Sequence, residues 1–124
     1  MKKLIAVILT ILSLNVFSTD PKTAYDTVIN GQGVMIDVRE QDEISLGMIK
    51  HAVWFPLSKI TNDKNWKEDF KKLVGDKTIF LYCRSGVRSE KVMNILKEND
   101  ITSENIGGYK TLKKILPVKE TENK

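Results

Sequence analysis

The sequence predicts an α/β domain with a mainly parallel central sheet and helices on both faces. Three observations carry this expectation. Val34-Met35-Ile36-Asp37-Val38 and Thr78-Ile79-Phe80-Leu81-Tyr82 are near-continuous apolar runs of strand length, the pattern of strands covered on both sides. Between them Trp66, Phe70, Leu73 and Val74 stand at i, i+4, i+7 and i+8, an amphipathic helical stripe. A chain of 124 residues, 41% hydrophobic and 29% charged, has room for one such domain and is neither a solenoid nor a disordered segment.

The elements follow in order along the chain. Asp20 caps and Pro21 opens a first helix, Pro21 to Asn30, whose stripe of Ala24, Tyr25, Val28 and Ile29 is stopped by Gly31. The strand Val34 to Val38 comes next, then a short acidic helix from Glu40 to Leu46 ending at Gly47. Ile49 to Phe55 reads as another short strand, closed by Pro56, with a loop running on to Asn62-Asp63. Asp63 is the expected cap of the Trp66–Val74 helix, and Gly75 stands just past its end. The strand Thr78 to Tyr82 delivers Cys83, after which Val92, Met93, Ile95 and Leu96 return to helical spacing between Ser89 and Lys97. A short strand around Glu104 to Ile106, a turn at Gly107-Gly108 and a helix carrying Leu112, Ile115 and Leu116 lead to Pro117. Residues 118–124 read as a polar, frayed tail, which leaves 19–117 as the domain.

Composition removes several functional classes. The formal charge of +4 falls to +2 without Lys2 and Lys3, because 18 basic residues then face 16 acidic ones, and the chain has only three arginines, Arg39, Arg84 and Arg88. Dispersed lysines of this kind do not make a nucleic-acid surface. A single cysteine, Cys83, and a single histidine, His51, exclude an internal disulfide and a four-ligand zinc site, and no metal or cofactor is expected. The acidic group Asp37, Glu40, Asp42 and Glu43 fits a helix N-terminus without a bound cation. Gly75-Asp76-Lys77-Thr78 lacks the glycines of a phosphate loop.

At the N-terminus, Lys2-Lys3, the apolar stretch Leu4 to Leu14 and Val16-Phe17-Ser18 have the layout of a secretory signal peptide over residues 1–18. The expectation is an exported, periplasmic monomer without stable membrane insertion after cleavage, since the apolar run is short of the roughly 20 residues of a membrane span. An unpaired cysteine in an oxidising compartment is the residue to explain.

Cys83-Arg84-Ser85-Gly86-Val87-Arg88-Ser89 joins the end of a central strand to a helix N-terminus, where ligand sites of α/β sheets sit. A loop wrapped there points backbone N–H groups at the sulfur and favours the thiolate. Gly86 lets the backbone come close or take a positive φ; Arg84 and Arg88 offer cationic forks to an anion. Ser85 and Ser89 either donate to that anion or cap the helix. No His or Lys adjoins Cys83, which disfavours hydrolysis through an activated thiol, whereas a thiolate attacks a sulfane sulfur without a base. His51 reads as a surface residue and not a general base, while Trp54, Phe55 and Met48 are candidates for an apolar docking patch whose plainer role is core packing.

Ile36-Asp37-Val38-Arg39-Glu40, then Glu43, Gly47, Ile49, Ala52 and Pro56, then Tyr82 through Ser89, and finally Gly107-Gly108-Tyr109 resemble the successive motifs of a single-domain rhodanese. The resemblance runs from about Pro21 to Leu116. It implies a rhodanese-like fold, a persulfide-forming Cys83, and a loop from Arg84 to Arg88 whose amides hold the sulfur. It also implies structural roles for Asp37, Arg39, Glu40 and Glu43. The implied substrates are a small anionic sulfur donor such as thiosulfate and a thiophilic acceptor such as cyanide, a thiol or a protein. The substrate-binding set is then Arg84, Ser85, Gly86, Val87, Arg88 and Ser89. The chain departs from the family where Met48 replaces the usual His, where His51 replaces a Gly, and where Tyr109 precedes no Trp. Two other readings share this loop. One is a sulfur carrier or protein-binding module without turnover. The other, a phosphatase or arsenate reductase, meets Ser89 at the position of the phosphatase arginine and Tyr82 in place of the usual His.

Overall fold

The computed structural model describes residues 19–120. In chain order these form α1 (Pro21–Ile29), β1 (Gly33–Asp37), α2 (Gln41–Ile44), β2 (Met48–Ile49), β3 (Val53–Trp54), α3 (Leu57–Asn62), α4 (Trp66–Val74), β4 (Thr78–Cys83), α5 (Val87–Glu98), β5 (Glu104–Gly108), α6 (Tyr109–Leu112) and β6 (Val118–Lys119). The main sheet has the order β3-β1-β4-β5, and every pairing in it is parallel. This is the α/β architecture that the apolar strand runs predict.

Alternation along β1 and β4 divides the core in two. Val34, Ile36 and Val38 with Ile79, Leu81 and Cys83 face one side, where Phe70 and Val74 of α4 and Val92 and Leu96 of α5 cover them. Met35, Phe80 and Tyr82 face the other, under Ala24 of α1, Leu112 of α6 and Leu116. Phe70 is fully buried and meets Phe55 edge-on at 5.1 Å, so its truncation to Ala costs about 3–5 kcal/mol.

Four local expectations are corrected. The expected strand Ile49 to Phe55 is two short strands, because Ala52 N–H bonds back to the Ile49 carbonyl at 3.0 Å and His51 takes φ of 72°, turning the chain between them. The expected loop after Pro56 is the helix α3; its Ser58 backbone N–H and hydroxyl donate to the Glu40 carboxylate at 3.2 and 2.6 Å, a cap supplied from another element. Asp63 does not cap α4; Asn65 holds that position, and Asp63 accepts from the Asn65 N–H at 2.8 Å. At the C-terminus, β5 runs through Gly107-Gly108, α6 stops at Leu112, and Val118–Lys119 pairs antiparallel with β2 instead of fraying. The signal peptide expected at 1–18 lies outside the described residues, as do 121–124. Among the described residues, no helix is long and apolar enough to cross a membrane.

Candidate active site

Strand β4 ends at Cys83, which is 1% exposed, and α5 begins four residues later. The chain between them curls around the sulfur. Gly86, at φ of 103°, stands at the N-cap of α5 and donates its N–H to Cys83 Sγ at 3.0 Å. Ser89 donates both its backbone N–H and its hydroxyl at 3.4 Å. Burial pushes the Cys83 thiol up, but the Ser89 hydroxyl and the amides of Ser89, Ser85 and Gly86 together hold it below its ordinary value. The first N–H groups of α5 have no carbonyl of their own helix to meet, and the helix dipole adds to their pull on a negative sulfur.

The loop is braced from three sides. Asn105 of β5 donates from Nδ2 to the Gly86 carbonyl at 2.9 Å, while its Oδ1 accepts from the Ser89 hydroxyl at 2.8 Å and the Gly107 N–H at 3.0 Å. The single Ser89 proton thus has two acceptors in reach, Cys83 Sγ and Asn105 Oδ1. Gly108 lies flat beneath the loop: a Cβ there would strike the Arg84 carbonyl oxygen and come within 2.6 Å of Ser85 Cα. On the third side, Arg88 forms a two-pronged pair with Glu43 of the segment following β1, at 2.6 and 2.7 Å. That guanidinium, with the Glu40 N–H also donating, holds the Glu43 carboxyl down at about 2.

A buried pair anchors the segment that presents Glu43. Arg39 grips Asp37 from Nε and Nη2 at 2.8–3.1 Å, donates to the Gly47 carbonyl at 2.7 Å and lies 4.1 Å over the Tyr109 ring. The Tyr82 hydroxyl accepts from Ile49 N–H at 3.1 Å; burial beside Asp37 keeps its phenol far above the usual titration range.

Of the residues singled out from sequence, Cys83, Ser85, Gly86 and Ser89 meet at the sulfur. Arg84 is exposed and lines an open cavity of about 650 Å³ beside the loop, together with Glu43, Leu46, Tyr109, Lys110 and Lys113. Val87 is 73% exposed, and its backbone is the first helical position of α5. Arg88, read from sequence either as a cation for the substrate or as a brace of the loop, is paired with Glu43. Of the three candidates for a docking patch, Phe55 packs in the core, the Trp54 indole donates to the Arg39 carbonyl at 2.7 Å, and Met48 pairs with Lys119. Leu46, 79% exposed, lines the cavity. Asn105 was invisible from sequence, since it falls inside the expected strand Glu104 to Ile106, where nothing local points its side chain at the cysteine loop.

A parallel sheet whose central strand ends in a cysteine wrapped by amides at a helix start defines a class of thiolate-based α/β domains. Within it, the chain belongs to the rhodanese-like domain family, whose match covers residues 20–115. A Schizosaccharomyces pombe protein provisionally assigned as a mitochondrial thiosulfate sulfurtransferase is 35% identical over 83 residues, 61% of this chain and 57% of that one. A tRNA uridine(34) hydroxylase of Xylella fastidiosa is 33% identical over 60 residues, which cover 48% of this chain and only 23% of the hydroxylase. The solved structure of a rhodanese with anions from E. coli superposes with a TM-score of 0.60 at 28% identity, covering 71% of this chain and 98% of that one.

Proposed function

We propose that the protein is a sulfurtransferase that moves a sulfane sulfur from thiosulfate or a similar anionic donor, through a Cys83 persulfide, to cyanide or a thiol. The observation that carries this reading is the convergence of the Gly86 and Ser89 amides and the Ser89 hydroxyl on a buried Sγ, to which no His or Lys is hydrogen-bonded among the described residues. In the first half-reaction the Cys83 thiolate attacks the outer sulfur of thiosulfate. The new S–S bond forms as the old one breaks, and sulfite leaves with the bonding pair. The outer sulfur of the persulfide lies about 2.05 Å beyond Sγ and carries the negative charge. There the N–H groups at the start of α5, from Val87 onward, receive it. In the second half-reaction an acceptor nucleophile takes that sulfur and returns Cys83 as thiolate.

Arg84, exposed at the mouth, is the cation available to an incoming anionic donor, while Arg88 braces the loop through Glu43. The Schizosaccharomyces relative and the rhodanese with anions support this chemistry; the match to the hydroxylase spans too little of that protein to carry its activity here. Replacing Cys83 with Ser tests the reading: thiocyanate formation from thiosulfate and cyanide is lost while the far-UV circular dichroism and melting curve stay those of a folded domain. Turnover retained in that variant overturns it. The export reading of residues 1–18 belongs to this proposal, and N-terminal sequencing of the protein recovered from the periplasm tests it.

A further inference from the structure

We infer that the cavity beside the cysteine loop is the acceptor subsite, and that it selects a small thiol carrying carboxylate groups. The inference rests on the sulfurtransferase reading and adds the chemical class of the acceptor. The cavity, at about 650 Å³, has the size of a small-molecule site. Its walls are rigidly joined to the loop: Arg84 follows Cys83 directly, the Lys110 N–H meets the Arg84 carbonyl at 3.4 Å, and Gly108 lies flat under Arg84-Ser85.

The charges on those walls are unequal in availability. Glu43 is committed to Arg88 and Arg39 to Asp37, whereas Arg84, Lys110 and Lys113 are exposed and have no ion-pair partner among the described residues. Glu120 is the one further acid on the wall. Three available cations against one available acid make an electropositive hollow, and Leu46, Val118 and the Tyr109 ring give its apolar surface. Sulfite and thiosulfate are too small to span such a hollow. A thiol with one or two carboxylates on a short stem matches it: the carboxylates meet Lys110 and Lys113, the stem lies on Leu46 and Tyr109, and the sulfur points toward the loop. Its thiolate attacks the outer sulfur of the Cys83 persulfide, the Cys83–S bond breaks, the bonding pair returns to Cys83 as thiolate, and the acceptor leaves as its own persulfide. No oxidant or reductant is consumed beyond the two thiols.

The test uses thiosulfate-loaded full chain and three acceptors compared at equal thiolate concentration: mercaptosuccinate, 2-mercaptoethanol and cysteamine. Discharge is fastest with mercaptosuccinate and slowest with cysteamine, and the preference collapses in 0.5 M salt. In the double variant Lys110→Gln and Lys113→Gln, mercaptosuccinate discharge slows about fivefold while 2-mercaptoethanol discharge is unchanged. Equal rates for the three acceptors, or no effect of the variant on mercaptosuccinate, overturn the inference. A second measurement needs no persulfide: the ratio of iodoacetate to iodoacetamide alkylation rates on free Cys83 falls about threefold in the double variant. If loading itself fails, the sulfurtransferase reading falls, and this ratio still decides whether the cavity draws carboxylates to the sulfur.

Discussion

Replacing Glu43 with Gln keeps the shape of the side chain and removes the charge that holds Arg88 against the loop. The Arg88 guanidinium is the largest influence on this carboxyl and brings it from an ordinary 4.5 to about 2. At 1.36 kcal/mol for each tenfold change, that drop caps the coupling at about 3 kcal/mol. The side chains are 31% and 22% exposed, so solvent screening reduces the expected loss of stability to about 1–2 kcal/mol at pH 7. The sign is fixed by the direction of the change. A carboxyl depressed on folding contributes stability that is full above its unfolded value near 4.5 and is lost as the pH falls through about 2. Urea denaturation of parent and variant from pH 7 down to pH 2 therefore shows a stability gap that is constant above about pH 5 and closes toward pH 2. A gap independent of pH over that range, or none at pH 7, refutes the reasoning that this ion pair clamps the loop.

Three further outcomes are expected. Gly108→Ala pushes a methyl into the Arg84 carbonyl and Ser85 Cα, backbone atoms that have no rotamer to escape by, and costs about 3 kcal/mol in thermal denaturation along with most of the thiocyanate-forming activity. Ser89→Ala removes the hydroxyl that lowers the Cys83 thiol, so the pH midpoint of iodoacetamide alkylation rises, and Ser89→Thr restores it; an unmoved midpoint contradicts the hydroxyl's role. His51→Gly relieves a left-handed residue at φ of 72° and raises stability by about 1 kcal/mol, read as a melting temperature higher by a few degrees.

How much of this was legible in the sequence varies by element. Both central strands read directly as near-continuous apolar runs, and α4 and α5 because they are long enough for helical period to show. The turn that separates β3 from β2 and the helix α3 did not. Two residues of β3 carry no period, and α3 owes its first turn to a carboxylate of Glu40 that is close only in three dimensions. The same distinction runs through the site. The amide cradle was readable because seven consecutive residues build it. The partner of Arg88 was not, because Glu43 is 45 residues away, and Asn105 reaches Gly86 and Ser89 from a neighbouring strand. The resemblance to rhodaneses supplied the structural role of Glu43 that spacing alone could not. The departure at His51 left the turn intact, with the histidine adopting the conformation a glycine would hold at no cost.

The most direct test of a Cys83 persulfide is the intact mass of the purified protein after thiosulfate, measured again after cyanide with thiocyanate assayed in the same sample. The account predicts a gain of one sulfur atom, located on the Cys83 peptide, that cyanide removes with equimolar thiocyanate. An unchanged mass with Cys83 still open to alkylation contradicts it.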